Sequence, residues 1–207
     1  MNYWDNHMGD DAGAANYMKS YGEGPGSQTR FMIANFINDG ESVLDVGCGP
    51  GWNLEHFMEH GPKVKAYRGL DYSERFVRVA NKRTAKNGNF KFRLGDAREL
   101  KEPDKSWDVV ILQDVLEHTN GYEKPMAEAM RVAKKRIIIT FWRAMRGRGD
   151  GDQINDDGDD GWGATYEQYK WEKFLDSLGV HWMSDEIEGN RRHLFYIIDK
   201  EEPHGGI

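Results

Sequence analysis

Cysteine is nearly absent from this sequence, since Cys48 is the only one among 207 residues. A single cysteine excludes an intrachain disulfide and is typical of a protein that works in a reducing compartment. Long apolar runs are also missing, because none approaches the ~20 residues that a membrane-spanning helix needs. Residues 1–7 carry no basic region followed by an apolar one, so they do not resemble a signal peptide. We therefore expect a cytoplasmic protein that does not cross a membrane.

A surplus of basic residues is absent as well. The chain has 28 Lys and Arg against 35 Asp and Glu, which gives a formal net charge of −7. Proteins that bind nucleic acid normally need a basic face that neutralises phosphates, so this charge argues against nucleic acid as a partner. Hydrophobic residues make up 38% and charged residues 30% of the chain. This composition is typical of a folded globular protein, and the length suits one domain.

Short apolar runs alternate with helical patterns through the first two thirds of the chain. Helical spacing of apolar residues predicts a first helix over residues 29–37 and further helices between most of the runs that follow it. Ser73 is expected to cap one of these helices. Such alternation predicts an α/β fold built on a parallel sheet. The apolar runs that are predicted to be its strands cover residues 42–46, 65–71, 90–94, 107–113 and 136–141.

The chain beyond residue 141 follows a different pattern. Residues 142–164 are predicted to be a long loop, with six aspartates between positions 150 and 160. Residues 156–167 partly echo a calcium-binding loop, but the third position is glycine and no helix precedes them, so a solvated acidic loop is favoured. Thr165 and Gln168 predict a helix start through a capping box. Two strand-like runs after that helix, joined by a turn signal, predict a hairpin over residues 180–199.

These patterns divide the chain into three parts. Residues 1–28 mix aromatic side chains with Gly, Asp and Asn. We interpret them as an N-terminal extension that either packs loosely on the core or closes as a lid over a ligand. Residues 29–200 form the predicted domain, in which the loop at 142–164 lies on the ligand-binding side. Residues 201–207 are expected to be a frayed tail.

A glycine-rich turn, DVGCGPG at 45–51, follows the first predicted strand. Its glycines allow a sharp turn and let a ligand approach bare backbone, and the helix that follows directs free N–H groups at that ligand. Asp71 ends the second strand and Asp96 follows the third, at the strand ends where open α/β sheets bind ligands. The alternative is that both carboxylates cap a helix or a turn. Because Trp52 stands where a dinucleotide site has its third glycine, a dinucleotide is disfavoured.

This series of segments resembles the class I S-adenosylmethionine-dependent methyltransferases. The resemblance runs from about residue 41 to residue 141 and rests on four motifs in order, which are DVGCGPG (45–51), GLDYS (69–73), GDAREL (95–100) and SWDVVILQDVLEH (106–118). It implies a Rossmann-like, doubly wound sheet of seven strands, mostly parallel, in which the C-terminal hairpin is antiparallel. It also implies S-adenosylmethionine as the cofactor.

The resemblance also implies which residues contact the cofactor. The three glycines of the turn would line its methionine and ribose portions, and Asp71 would hold the ribose hydroxyls. Asp96 would accept a hydrogen bond from the adenine amine, while Tyr72 would lie against the adenine ring. The full set of implied cofactor-binding residues is Asp45, Gly47, Gly49, Gly51, Asp71, Tyr72, Asp96, Ala97, Gln113 and Asp114.

Transfer of a methyl group from a sulfonium mainly requires alignment of the reacting atoms and exclusion of water. A hydroxyl acceptor additionally needs a base, and His118 is the candidate because imidazole titrates near neutrality, with Glu117 beside it. The alternative is that this Glu-His pair simply begins a helix. His7 is a second candidate base if the N-terminal segment closes over the site. Aromatic and imidazole side chains expected to contact the acceptor are His7, Tyr21, Trp142 and Trp162.

The class of acceptor is suggested by a missing motif. Base-directed amino methyltransferases place Asn/Asp-Pro-Pro-aromatic after the fourth strand, whereas this sequence has QDVL at 113–116. With the acidic net charge, this favours a small molecule or saccharide, methylated at oxygen or nitrogen, as the acceptor of a monomeric or homodimeric enzyme. The alternatives are a protein or RNA methyltransferase, or a catalytically inactive partner subunit that still binds the cofactor.

Overall fold

A computed structural model of the chain describes residues 5, 13, 26–84, 90–142, 152–158, 161–187 and 193–200. Its helices are α1 (Gly26–Asn35), α2 (Trp52–His60), α3 (Glu74–Thr84), α4 (Glu123–Val132) and α5 (Gln168–Ser177), and a 3₁₀ helix spans Leu116–His118. Its strands are β1 (Ser42–Val46), β2 (Ala66–Asp71), β3 (Phe90–Leu94), β4 (Trp107–Gln113), β5 (Ala133–Phe141), β6 (Gln153–Gly158), β7 (Gly161–Thr165), β8 (His181–Ile187) and β9 (His193–Asp199). In the part of the chain that is described, no helix is long and apolar enough to cross a membrane.

Seven of these strands form one sheet in the order β3-β2-β1-β4-β5-β9-β8. The strands β1 to β5 are parallel, whereas β9 is antiparallel to both β5 and β8. The chain enters the sheet at β1, runs outward to β3 and then returns to the other side of β1 as β4. Strand order therefore reverses between β1 and β4, which is where doubly wound sheets bind ligands. The predicted Rossmann-like sheet, mostly parallel with an antiparallel C-terminal hairpin, is confirmed.

The core lies on both faces of the sheet because side chains alternate along the central strands. On β4, Val110 and Leu112 belong to one apolar cluster, and Val109 and Ile111 belong to the other. Helices α4 and α5 contribute buried residues to the first cluster, and α1, α2 and α3 contribute to the second. Burial on both faces explains why β4 reads as a continuous apolar run in the sequence.

Two predicted helix starts differ from the structure. The first helix begins at Gly26, three residues before the predicted start at Thr29, and it ends at Asn35. The predicted capping box is wrong, because Thr165 lies in β7, where it pairs with Gln153, and Glu167 is the residue that precedes α5. Strand pairing therefore outweighs the local capping signal at Thr165. By contrast, the prediction that Ser73 caps a helix is confirmed, since its Oγ accepts the Phe76 N–H at 3.2 Å.

The long loop predicted at 142–164 is wrong in part, because β6 and β7 pair within it as an antiparallel two-stranded sheet. Residues 156–167, which partly echo a calcium loop, lie in these two strands and at the start of α5, except for positions 159 and 160, which fall outside the described residues. Aspartate and glycine are depleted in strands, so neither segment has a strand-like sequence. Their pairing with each other, together with contact between β7 and the 3₁₀ helix, decides their conformation.

Candidate functional site

The carboxyl ends of four neighbouring strands lie level with one another. Val46, the last residue of β1, pairs with Leu70 on β2 and with Leu112 on β4. Asp71, the last residue of β2, pairs with Leu94 at the end of β3. The segments that follow these strands therefore leave the sheet along one edge, and the residues predicted to bind the cofactor lie on these segments or in the last two positions of the strands.

The glycine turn between β1 and α2 is tied to the end of β2. The backbone N–H groups of Gly47 and Cys48 both donate to the carbonyl oxygen of Leu70, at 2.7 and 3.0 Å. Gly47, Gly49 and Gly51 have φ angles of 72°, 53° and 87°, in the left-handed region where a side chain is strained. A Cβ at position 47 would lie 2.3 Å from Val115 Cγ2, so this position also needs glycine for packing.

Position 49 differs from position 47, because the space beside it is open. Among the described residues, no heavy atom lies within 4 Å of the point that a Cβ of residue 49 would occupy. The left-handed backbone alone therefore accounts for glycine here, and bare backbone faces open space. This is the arrangement that the sequence predicted for a turn against which a ligand can lie.

Asp71 joins the glycine turn to the start of the next helix. Its Oδ2 accepts the Gly49 N–H at 2.7 Å and its Oδ1 accepts the Ser73 N–H at 2.8 Å. Burial raises the pKa of Asp71 to about 6, although these hydrogen bonds act in the opposite direction and Asp5 adds to the increase. A buried carboxylate at this strand end can accept hydrogen bonds from vicinal hydroxyls, and Tyr72, half-buried, directly follows it.

Asp5, about 70 positions away in the sequence, also contacts the start of α3, and no pattern in the sequence indicated this contact. Its Oδ1 accepts hydrogen bonds from the Ser73 hydroxyl and from the Arg75 N–H, the latter at 3.2 Å. Asp5 is itself buried, and a carboxylate at the N-terminus of α3 is favoured by the helix dipole. His7 and Tyr21, the site residues that the sequence predicts within residues 1–28, lie outside the described residues.

Asp45 lies in the interior, below the glycine turn. It is fully buried, and its Oδ2 accepts hydrogen bonds from the Tyr67 hydroxyl and from Asn53 Nδ2. Burial raises the pKa of Asp45 to about 7, against the opposing effect of these two donors. The carboxylate therefore joins β1, β2 and α2 beneath the turn. Its predicted contact with the cofactor stays a prediction, and Tyr67 and Asn53 are partners that the sequence did not reveal.

The segment after β3 carries Asp96 beside the Asp71 backbone. The Gly95 N–H donates to the Asp71 carbonyl oxygen at 2.9 Å, which brings the two strand ends together. Asp96 is only partly buried, and its carboxylate is held by the guanidinium and the backbone N–H of Arg98. Partial burial would raise the pKa of Asp96, but these hydrogen bonds outweigh it and hold the pKa below its ordinary value. Ala97, between the two charged residues, is half-buried.

The chain after β4 adopts a strained turn at Asp114. This residue has a φ of 54°, in the left-handed region that glycine favours and that aspartate adopts more readily than most other residues. Its N–H donates to the Thr140 carbonyl oxygen at 3.1 Å, and its Oδ1 accepts the Thr140 hydroxyl at 2.6 Å. Thr140 on β5, which no sequence pattern indicated, thus holds Asp114 in place. Gln113, at the end of β4, is half-buried.

The 3₁₀ helix after this turn carries both predicted catalytic residues. Glu117 is almost fully buried, and its Oε1 accepts the backbone N–H of Trp142 at 2.8 Å. His118 and Trp142 are half-buried. The Tyr166 hydroxyl donates to the Leu116 carbonyl oxygen at 2.8 Å, which fixes this helix against the segment that follows β7. Glu117 thus joins the ends of β4 and β5, and any catalytic part that it plays stays a prediction.

Trp162 is the remaining predicted acceptor contact, and only its backbone, which pairs with Asp156 in the β6–β7 hairpin, is described. Among the described residues, no group of three or more His, Cys, Asp or Glu side chains is arranged to hold a metal ion. The structure thus brings Gly49, Asp71 and Asp96 together along one edge of the sheet. His118 and Trp142 follow the next two strands.

Comparison with known proteins shows which proteins this chain is similar to. Residues 44–141 match a family described as the methyltransferase domain. Demethylmenaquinone methyltransferase of Geobacillus stearothermophilus is 34% identical over 101 residues, which cover 47% of this chain and 43% of that protein. The chain spans less than half the length of the curated relatives that it matches.

Solved structures show the same fold. Phosphoethanolamine N-methyltransferase 2 of Haemonchus contortus, in complex with S-adenosyl-L-methionine, has a TM-score of 0.76 at 14% identity, covering 97% of this chain and 59% of that one. An S-adenosylmethionine-dependent methyltransferase of Aquifex aeolicus has a TM-score of 0.65 at 18% identity, covering 92% and 98%. The resemblance drawn from the sequence motifs, and S-adenosylmethionine as the cofactor, are confirmed.

Proposed function

We propose that this protein, whose residues 44–141 match a methyltransferase domain, transfers a methyl group from S-adenosylmethionine to an oxygen or nitrogen atom of a small molecule or saccharide. The observation that carries the proposal is the tie between the open glycine turn and the buried Asp71 carboxylate. It places bare backbone and an acceptor for hydroxyl groups side by side at the strand ends. S-adenosylmethionine needs both features, because its ribose hydroxyls require an acceptor and its methionine portion requires open space along the backbone.

The described residues suit this cofactor. Asp71 would accept hydrogen bonds from the ribose hydroxyls, and Gly49 leaves room beside them. Asp96 would accept a hydrogen bond from the adenine amine, and the half-buried Tyr72 would lie against the ring. Gln113 and Asp114 would lie beside the methionine portion. When bound, S-adenosylmethionine supplies a methyl group that its sulfonium already activates, so the protein's own task is alignment and exclusion of water.

The acceptor would enter beside the ends of β4 and β5. His118, on the 3₁₀ helix, is our candidate for the base that takes a proton from a hydroxyl acceptor. Trp142 follows β5, where an aromatic ring can lie against a sugar or an amine. The β6–β7 hairpin packs against the 3₁₀ helix and borders this region. We propose that residues 1–28 close over the opposite side, which the contact of Asp5 with Ser73 supports.

A small-molecule acceptor is supported by the names of the relatives. The Geobacillus relative acts on demethylmenaquinone and the Haemonchus neighbour on phosphoethanolamine, both small molecules. The net charge of −7 also disfavours RNA, whose phosphates repel an acidic protein.

Two measurements on the full chain test the proposal. Calorimetry should show that S-adenosylmethionine and S-adenosylhomocysteine bind at one site per chain. Incubation with methyl-labelled S-adenosylmethionine and fractionated metabolite pools should then label a small molecule. Label in protein or RNA fractions would instead support a macromolecular acceptor, and binding without any turnover would support a catalytically inactive partner subunit. Absence of binding would overturn the proposal altogether.

A further inference from the structure

Asp96 is held by three N–H groups of a single residue. The backbone N–H of Arg98 donates to Oδ1 at 2.8 Å, and its Nη2 donates to Oδ2 at 2.8 Å. The Nε of Arg98 lies between the two oxygens, 3.0 Å from Oδ1 and 3.2 Å from Oδ2. The guanidinium thus binds the carboxylate through two nitrogen atoms, Nε and Nη2. Because the two residues are only two positions apart, this pair forms within the segment after β3. Such bidentate pairing fixes the plane of a carboxylate as well as its charge.

The hydrogen bonds from Arg98 determine which acceptor positions of the Asp96 carboxylate remain available to a ligand. An ionised carboxylate offers about four acceptor positions, two on each oxygen. Counted over the described residues, Oδ1 receives two short hydrogen bonds, whereas Oδ2 receives one short bond and shares the longer one. One acceptor position on Oδ2 is therefore left. The side chains of Asp96 and Arg98 are 31% and 33% exposed, so the pair lies at the protein surface and is not enclosed in the core.

We propose that Arg98 is a positioning residue that makes the site specific for a 6-amino purine. This inference rests on the proposed function, in which Asp96 faces the adenine amine. Held by Arg98, Asp96 stays ionised and presents an acceptor without a proton. It therefore attracts the amine of adenine and repels the 6-oxo group of a deaminated purine. Without Arg98, the carboxylate can turn and can take up a proton, and the protonated form donates to the oxo group.

The test compares two ligands on the full chain, S-adenosylhomocysteine and S-inosylhomocysteine, which differ only in carrying a 6-amino or a 6-oxo purine. The wild-type protein should prefer the adenosyl compound. Arg98→Gln should reduce this preference by about tenfold, the change expected for one charge-assisted hydrogen bond, mainly through weaker binding of the adenosyl compound. Arg98→Lys keeps the positive charge but loses the bidentate geometry. Its preference for the adenosyl compound should therefore lie between those of Arg98→Gln and the wild type.

A pH series separates this role from a structural one. In Arg98→Gln, the preference should fall further as the pH drops from 7 to 5, while the wild-type preference stays constant. Titration of Asp71 affects both ligands alike, because they share the same ribose, and so it cancels from the ratio. Lys101→Gln is the matched control, since this exposed lysine on the same segment pairs with Glu99 instead of Asp96. Its preference should equal that of the wild type.

The outcomes distinguish the inference from the function on which it rests. If Arg98→Gln and Arg98→Lys bind both ligands more weakly by the same factor, Arg98 only supports the segment and the inference is overturned. The same holds if the wild type binds both ligands equally well. If the wild type binds neither ligand, the proposed cofactor site is overturned together with the inference.

Discussion

The Asp71 carboxylate accepts the backbone N–H of Gly49 at 2.7 Å, across 22 positions of the chain. This bond joins the end of β2 to the middle of the glycine turn after β1. It fixes the orientation of the turn, because the carboxylate also accepts the Ser73 N–H and is buried. The residue proposed to hold the ribose thus also shapes the backbone beside it. Removal of this carboxylate should therefore abolish both the proposed hydrogen bonds to the ribose and the bond that orients the glycine turn.

Replacement of Asp71 should therefore weaken cofactor binding strongly. In Asp71→Ala, we expect the free energy of S-adenosylhomocysteine binding to become less favourable by about 1.5–3 kcal/mol, since charge-assisted hydrogen bonds are lost. Calorimetry measures the change. Asp185→Asn, which alters an exposed carboxylate on β8, is the control and should bind normally. Undiminished affinity in Asp71→Ala would remove Asp71 from the ribose site.

Cofactor affinity should depend on pH through the same group. Burial raises the pKa of Asp71 to about 6, from an ordinary value of 3.8. Ribose hydroxyls donate to the ionised form, so affinity should rise between pH 5 and pH 7 and then level off. The contribution of Asp71 to folding stability has the opposite sign. It is present at acid pH and is lost as the pH rises through about 6, because the folded state holds the proton more tightly.

Titration of the ligand affinity from pH 5 to pH 8 checks this prediction. The pKa of Asp45 is also raised, to about 7, so Asp45→Asn should be titrated in parallel. The part of the slope that belongs to Asp71 should persist in Asp45→Asn and disappear in Asp71→Asn. A slope of equal size in all three proteins would assign the dependence to another group.

Alanine at two glycines of the turn should separate stability from binding. A methyl group at position 47 would meet Val115 and also force a left-handed φ, so Gly47→Ala should lower the free energy of unfolding by about 2–4 kcal/mol. At position 49 only the backbone strain applies, about 1–2 kcal/mol, but the methyl group would occupy the space proposed for the ligand. Urea unfolding and calorimetry together test this difference. Normal ligand affinity in folded Gly49→Ala would contradict it.

His118 should affect turnover and leave cofactor affinity unchanged. If it is the base, His118→Ala should slow methylation of a hydroxyl acceptor by about 10²–10⁴-fold, the usual contribution of a positioned base. Calorimetry with S-adenosylhomocysteine should give wild-type values. His181→Ala, which removes an exposed histidine of β8, is the matched control. A normal methylation rate in His118→Ala would show that His118 is not the base and has only a structural role in the 3₁₀ helix.

The N-terminal segment should be needed for turnover if it acts as a lid. Deletion of residues 1–20 removes Asp5 and its hydrogen bonds to Ser73 and Arg75. We expect a slower reaction, because an open site admits water and aligns the reactants poorly. Asp5→Ala alone should have a smaller effect of the same sign. An unchanged rate in the deletion variant would exclude this segment from the mechanism.

The sequence by itself determined the parallel part of the fold. The bounds of β1, β3 and β4 were predicted to the residue, because strands flanked by turns carry apolar runs whose period and length are local properties. The Ser73 cap and the glycine turn were equally readable, since each depends on residues that are close in the chain. The order of the four motifs then indicated S-adenosylmethionine as the cofactor. Each strand run, each cap and each single motif is a pattern of residues that lie close together in the chain.

Tertiary structure decided the features that depend on residues far apart in the chain. β6 and β7 form from aspartate- and glycine-rich segments because they pair with each other and pack against the 3₁₀ helix. The left-handed turn at Asp114 is held by Thr140, and Asp5 reaches the start of α3 across about 70 positions. A single sequence carries no local pattern for such contacts, since backbone pairing and hydrogen bonding arise only when the sheet brings the partners together.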